Sequence, residues 1–158
     1  MNGSTRKGLG FGLISGIITT LGLIVGLNSG AYSRNVIIGG IIVIAIADAM
    51  SDSFGIHISE EFEKKRSEKE VWQATIYTFL FKFIFAMTFI VPIIFLQLQT
   101  AVLVSIIWGL SLISLFSYFI AKMQKLKPYK MILEHLLIAI VVIAITNYIG
   151  SLIPRLLS

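Results

Sequence analysis

Two carboxylates four residues apart lie within an otherwise apolar segment of the chain. Asp48 and Asp52 are at positions i and i+4, so they share one face if the segment is helical. Counted from Val36 at 1.5 Å per residue, Asp48 lies about 18 Å along such a helix, past the centre of a bilayer core of about 30 Å. A charged side chain near that centre costs at least about 2.5–3.5 kcal/mol, so the pair must be protonated, bind a cation or face water. The spacing therefore indicates a cation or proton pathway, and the alternative is an aspartate that bonds to a neighbouring helix.

The charge state of this pair depends on whether a basic side chain lies beside it. We expect no lysine or arginine at the depth of the two aspartates. Lys82 lies about three turns into a later apolar segment, and we expect its ammonium group to extend to the membrane surface. Two like charges without a counter-charge do not both ionise easily, so we expect the carboxylates to titrate as one coupled pair.

The first apolar segment carries small and hydroxyl side chains at alternating spacings of four and three residues, which is a heptad pattern. This helix-one stripe consists of Gly8, Gly12, Ser15, Thr19, Gly22 and Gly26. Small side chains at such spacing let helix backbones approach closely in lipid, and we interpret the glycines in this way. Two interpretations of Ser15 and Thr19 stay open, because a hydroxyl in such a stripe either packs against a helix or lines an ion path.

A charged segment, residues 59–70, follows the aspartate helix and contains five glutamates and four basic side chains. Its first three glutamates are Glu60, Glu61 and Glu63. They either belong to a solvated, salt-bridged extension of the helix or collect divalent cations at the mouth of a pathway. Their position directly after the aspartates makes them candidate metal-ligating residues. His57 is five residues past Asp52, so it points off the aspartate face and is interpreted as an interfacial side chain.

Three residues of the later segments are given structural roles. Pro92 predicts a kink in the third helix, because proline removes a backbone hydrogen bond. Glu134 is expected in the first turn of the last helix, where the helix dipole favours a negative charge. Asn147 is expected to bond across to another helix.

The elements that must position these side chains are membrane-spanning helices. Of the 158 residues, 56% are hydrophobic and 13% are charged, whereas a soluble domain has about 25% charged residues. The predicted fold class is all-α, a polytopic membrane protein in which residues 1–158 form a single transmembrane domain. The first apolar run is too long for a signal peptide, whose apolar part spans about 7–15 residues. Uncharged runs of sufficient length predict five transmembrane helices, at about residues 8–27, 36–60, 70–96, 100–122 and 130–154.

The distribution of positive charge predicts the orientation. With the N-terminus in the cytoplasm, ten lysines and arginines lie in the inner segments and only Arg34 and Arg155 in the outer ones. Positive residues favour the cytoplasmic side, so we expect a cytoplasmic N-terminus, an outside C-terminus and a multi-pass protein of the cell membrane. Orientation accounts for the net charge of +5, and no nucleic-acid partner is expected. The chain has no cysteine and no evident nucleophile–base pair, so we expect neither an enzyme nor a bound cofactor.

At these motifs the chain resembles the vacuolar iron transporter family. Residues 15–20 read Ser-Gly-Ile-Ile-Thr-Thr, similar to the family's Asp-Gly-Leu-x-Thr-Thr. Residues 47–59 read Ala-Asp-Ala-Met-Ser-Asp-Ser-Phe-Gly-Ile-His-Ile-Ser, similar to Ala-Asp-x-x-Ser-Met-Ala-x-Gly-Glu-Tyr-Leu-Ser. The resemblance implies a homodimer that exports ferrous iron or manganese from the cytoplasm in exchange for protons. It also implies a metal path through a first-helix aspartate and a second-helix acid and methionine.

Three positions depart from the family pattern. Ser15 stands where the family has its first-helix aspartate, Asp52 where it has methionine, and Ile56 where it has glutamate. One carboxylate is in effect moved from helix one to helix two, and a soft thioether is replaced by a hard ligand. The site is therefore expected to prefer harder cations than a methionine site would. The chain also resembles a short form, since residues 59–70 are too few for the family's full cytoplasmic metal-binding domain.

Three functional hypotheses follow. The first is a divalent metal cation/proton antiporter in which Asp48 and Asp52 bind metal and Ser15 and Thr19 line the path. The second is a non-transporting membrane subunit or scaffold related to this family, favoured by the missing acids at positions 15 and 56. The third is a proton or monovalent-cation pathway, since carboxylates alone do not select divalent ions.

Overall fold

A computed structural model describes residues 3–63 and 66–157, and 90% of these residues are helical. Within those residues there is no strand, so the all-α class is confirmed. The helices are α1 (Gly3–Ser29), α2 (Arg34–Glu61), α3 (Glu68–Thr88), α4 (Ile90–Phe95), α5 (Leu98–Met123) and α6 (Pro128–Leu157). Five of the described segments are long and apolar enough to cross a membrane, with α3 and α4 together forming the third. The five spanning helices are therefore confirmed.

The third span is interrupted where the proline predicts a kink. α3 ends at Thr88 and α4 begins at Ile90, two residues before Pro92. Proline has no N–H to bond the carbonyl four residues earlier, which is that of Thr88, so the helix breaks there. At the other end of α4, the Arg34 guanidinium donates to the carbonyl oxygens of Ile94 at 3.1 Å and Leu96 at 2.8 Å.

α1 lies at the centre and contacts α2, α3, α5 and α6. Its glycines permit very close approach, as the helix-one stripe predicts. A Cβ atom on Gly8 would lie 2.3 Å from the carbonyl oxygen of Ala74, and one on Gly12 would lie 2.4 Å from that of Thr78. The first half of the stripe thus packs against α3. Gly22 faces side chains of α6, so the second half packs against that helix.

Two expectations for the last helix have different outcomes. α6 begins at Pro128, because proline suits the first helical turn, where its missing N–H is not needed. Glu134 consequently lies beyond the first turn, and the prediction that it caps the helix is wrong. The cross-helix bond of Asn147 is confirmed, since its Oδ1 atom accepts a hydrogen bond from the Ser29 hydroxyl of α1.

Candidate cation site

The two aspartates of the second spanning helix share one helix face, and both reach the same atom of a third side chain. The Nζ atom of Lys82 on α3 lies 2.6 Å from Oδ2 of Asp48 and donates a hydrogen bond to Oδ2 of Asp52. Among the described residues no donor has hydrogen-bond geometry to Asp48 Oδ2, so that contact is an electrostatic ion pair. Asp52 is the more firmly held carboxylate of the two.

The position of Lys82 corrects two sequence expectations. Its side chain is 2% exposed, so it does not extend to the membrane surface, and it supplies the basic group that was expected to be missing beside the aspartates. The physical reason is the antiparallel pairing of α2 and α3. Asp48 lies 13 residues before the end of α2, and Lys82 lies 14 residues after the start of α3. A short loop therefore brings them to the same depth.

Ser15 of α1 completes this group, as its position in the helix-one stripe suggests. Its hydroxyl accepts a hydrogen bond from Lys82 Nζ at 3.0 Å and donates one to Asp52 Oδ2 at 2.8 Å. We call these four residues, Ser15, Asp48, Asp52 and Lys82, the carboxylate–lysine cluster. With all three ionisable groups charged, the cluster has a net charge of −1, in contrast to the uncompensated pair expected from the sequence.

Access to the cluster is unequal among its members. The Asp48 and Asp52 side chains are 28% and 24% exposed, whereas Lys82 is buried behind them. A cavity of about 440 Å³ also reaches Ser15 from the end of α1 that carries Arg6 and Lys7. The carboxylates therefore present oxygens to an approaching ion, while the ammonium lies on the protein side.

Thr19 is one turn further along α1 and does not join the cluster. Its hydroxyl is buried, with no hydrogen-bond partner in the described part of the chain. It lines a separate groove of about 480 Å³ between α1, α2 and α6, together with Ile44 and Thr146. Of the two hydroxyl residues in the helix-one stripe, Ser15 and Thr19, only Ser15 contacts an aspartate.

The candidate metal-collecting glutamates divide into two groups. Glu60 is fully buried, and its carboxylate lies 2.7 Å from Lys7 Nζ and 3.4 Å from Arg66 Nε. Glu63 contacts the same two cations at 3.2 and 3.0 Å. Hydrogen bonds from Lys7 and Arg66 lower the pKa of the Glu63 carboxyl. We call these four residues the loop cluster, and it joins the N-terminal end of α1 to the α2–α3 connection.

Glu61 lies outside the loop cluster. Its carboxylate is 60% exposed and lies 3.4 Å from Nε2 of His57. Nδ1 of His57 in turn lies 2.9 Å from the Thr75 hydroxyl, so the histidine contacts α3 and points away from the aspartates, as its spacing predicts. Within residues 3–63 and 66–157 no three histidine, aspartate or glutamate side chains are placed to hold a metal ion together. Metal collection by the glutamates stays a prediction.

Lys82 is the functional-site residue that sequence reasoning assigned to the wrong place. A usable signal was present, because Asp48 and Lys82 are nearly equidistant from residues 62–67, which connect α2 and α3. Gly16 is a second sequence feature that relates to the position of Lys82. A Cβ atom there would lie 3.0 Å from Lys82 Cα and Cγ, so this glycine makes room for the lysine stem.

The fold and the cluster define a multi-pass helical membrane protein with an ionisable site inside its spanning helices. The model of the VIT family matches residues 52–151, and the chain belongs to that family. Family membership indicates transport of metal ions across a membrane. No curated protein and no solved structure matches the chain. The matched region begins at Asp52 and includes Lys82, whereas Ser15 and Asp48 precede it.

Proposed function

We propose that this protein exports a divalent metal cation, ferrous iron or manganese, from the cytoplasm across the cell membrane in exchange for protons. The observation that carries the proposal is the pair Asp48 and Asp52, at membrane depth and partly exposed, in a member of the VIT family. Ionisable side chains at such depth are costly and mark ion or proton pathways. The N-terminus is proposed to be cytoplasmic, with the C-terminus on the opposite side.

The chemistry of the site supports a hard or borderline cation. Two carboxylates and the Ser15 hydroxyl offer oxygen ligands, which suit manganese and ferrous iron better than a soft ion. The cluster already holds one positive charge at Lys82. A divalent ion would give it a net positive charge inside the membrane unless a proton left, which couples metal entry to proton release.

A second copy of the chain is proposed to cover α2. The outer face of this helix carries an exposed row at four-residue spacing, which we call the α2 stripe. It consists of Gly39, Val43, Ala47, Ser51, Gly55 and Ser59. A Cβ atom on Gly39 or Gly55 would meet nothing within 4 Å, so no other described helix packs against the row at these two positions. Exposed small residues at this spacing suit close helix–helix contact in lipid, and a homodimer would also shield the neighbouring aspartates.

Transport is tested with the purified protein in liposomes that contain a metal-sensitive dye and a pH-sensitive dye. We expect Mn²⁺ and Fe²⁺ to enter and protons to leave, whereas Na⁺ and K⁺ produce neither signal. Asp48→Asn and Asp52→Asn should each reduce metal-driven proton movement, and the double variant should abolish it. Transport at the wild-type rate by the folded double variant would show that the site lies elsewhere.

A non-transporting role is the second candidate, because Lys82 occupies the space between the two carboxylates. A buried ion pair that is satisfied within the protein can be purely structural. The same liposome assay decides between the two. If no ion of the panel moves, the scaffold hypothesis is supported, and a signal from Na⁺ or K⁺ alone would support the monovalent pathway.

The dimer is tested with Gly55→Leu, which adds bulk to the α2 stripe at a position where a Cβ atom meets nothing within 4 Å in the described protomer. We expect the mass measured in detergent to shift from two chains to one, while helix content stays unchanged. Met50→Leu is the control, since this exposed side chain keeps its volume. A dimeric Gly55→Leu protein, or a monomeric wild type, would contradict the proposed interface.

A further inference from the structure

We propose that Lys82 is a specificity-determining residue whose ammonium group occupies the cation position between Asp48 and Asp52, so that a divalent ion binds both carboxylates only by displacing it. The inference rests on the proposed function, because it concerns the same two carboxylates. The Lys82 ammonium group would therefore compete with the transported metal ion for the same carboxylate oxygens. The expected consequence is that wild-type protein binds divalent metal weakly and that removing the ammonium strengthens binding.

The Nζ atom of Lys82 is surrounded by oxygen atoms, as a bound metal cation would be. Three oxygen atoms surround it, namely Asp48 Oδ2, Asp52 Oδ2 and Ser15 Oγ. Lys82 donates hydrogen bonds to Asp52 Oδ2 and Ser15 Oγ, and Asp48 Oδ2 adds an ion-pair contact at 2.6 Å. These same oxygens are the ones that the cluster would offer to a metal ion.

The packing of α3 prevents the lysine from taking another position easily. The face of α3 toward α1 carries a buried row at four-residue spacing, in which Lys82 is the only large side chain. This row consists of Ala74, Thr78, Lys82 and Ala86. The lysine stem lies against the backbone at Gly16, where a Cβ atom would come within 3.0 Å of it. Close contact with α1 therefore directs the ammonium toward the aspartates.

A divalent ion and the ammonium cannot hold the same oxygens. Metal–oxygen distances for divalent ions are about 2.0–2.6 Å, and the Asp48 oxygen is already 2.6 Å from Nζ. Two cations sharing these atoms would repel strongly in a membrane interior. The ammonium group therefore weakens the binding of a metal ion at this site. We expect its removal to tighten metal binding about tenfold or more.

The test measures Mn²⁺ binding to the purified full-length protein by calorimetry and by the metal-dependent rise in its unfolding temperature. Lys82→Met keeps an unbranched stem that is one atom shorter and removes the charge. We expect it to be less stable than wild type without metal, since it leaves two uncompensated carboxylates, and to be stabilised by Mn²⁺ far more than wild type is. Lys69→Met is the control, because it removes an exposed lysine from the same helix. In Lys82→Met, adding Asp48→Asn and Asp52→Asn should abolish the Mn²⁺ effect.

The outcomes separate this inference from the proposed function. Transport by the wild type, together with equal Mn²⁺ affinity in wild type and Lys82→Met, would overturn the inference and leave the proposed function intact. A wild type that transports nothing, with tight and aspartate-dependent Mn²⁺ binding in Lys82→Met, would support the inference alone. Lys82→Gln is the second variant. If neither variant folds even when produced with Mn²⁺ present, a metal ion cannot replace the ammonium and the inference is wrong.

Discussion

Replacing Gly12 by alanine adds a single methyl group at one of the tightest contacts between α1 and α3. Its Cβ atom would lie 2.4 Å from the Thr78 carbonyl oxygen, 1.0 Å short of the 3.4 Å at which ordinary contact begins. The three nearest atoms all belong to the backbone of Thr78, so no side chain can rotate away. The two helices must separate, and a gap of about 0.5–1 Å loses a quarter to a half of the dispersion energy of each contact there.

The magnitude follows from two opposing terms. Overpacking of a close contact costs about 1–3 kcal/mol, whereas alanine in place of glycine favours a helix by about 1 kcal/mol. Gly12→Ala is therefore expected to lower the free energy of unfolding by up to about 2 kcal/mol. For a chain of this size that corresponds to a drop of a few degrees, at about 2–4 °C per kcal/mol.

The assay is thermal unfolding of the detergent-solubilised protein, with Gly10→Ala as the matched control. Both substitutions add the same methyl group to α1, but the nearest atom to a Cβ on Gly10 is the side-chain end of Ile120, at an ordinary contact distance of 3.5 Å. We expect Gly10→Ala to leave the unfolding temperature unchanged or to raise it. If Gly12→Ala and Gly10→Ala unfold at the same temperature, close packing of α1 on α3 does not stabilise this protein and the reasoning fails.

Three further predictions concern topology and the loop cluster. A C-terminal reporter that is active only in the cytoplasm should be silent, and an active one would overturn the proposed orientation. Glu60→Gln should lower the unfolding temperature more than Glu61→Gln, because only Glu60 is buried against Lys7 and Arg66; equal values would contradict this. The lowered pKa of Glu63 means that its stabilising contribution is present above the unfolded-state value, near 4.5, and is lost as the pH falls through the folded-state value. Unfolding temperatures of Glu63→Gln measured below pH 4.5 should accordingly depend less on pH than those of wild type, and parallel curves would refute the assignment.

The pattern of hydropathy was enough to predict five spanning helices, because length and apolar character are local properties of the chain. Spacing was enough to place Asp48 and Asp52 on one face, since helix periodicity fixes the relation between residues four apart. The glycines of the helix-one stripe were correctly assigned to close contacts for the same reason. The identity of the contacting helices, α3 and α6 of the same protomer, did not follow from that spacing.

The tertiary structure decided which charges meet. Glu60 and Glu61 are consecutive and chemically equivalent in the sequence, yet one is fully buried and the other is 60% exposed, because adjacent positions of a helix point about 100° apart. The packing of the helices also determines that Lys82 is the counter-charge of the two aspartates. Lys82 reaches Asp48 and Asp52 because α3 runs antiparallel to α2 with one particular rotation, and because Gly16 lets its stem pass close to α1. Rotation and approach distance are set by all the contacts between helices together, so the sequence determined the aspartate pair and only the packed structure determined its counter-charge.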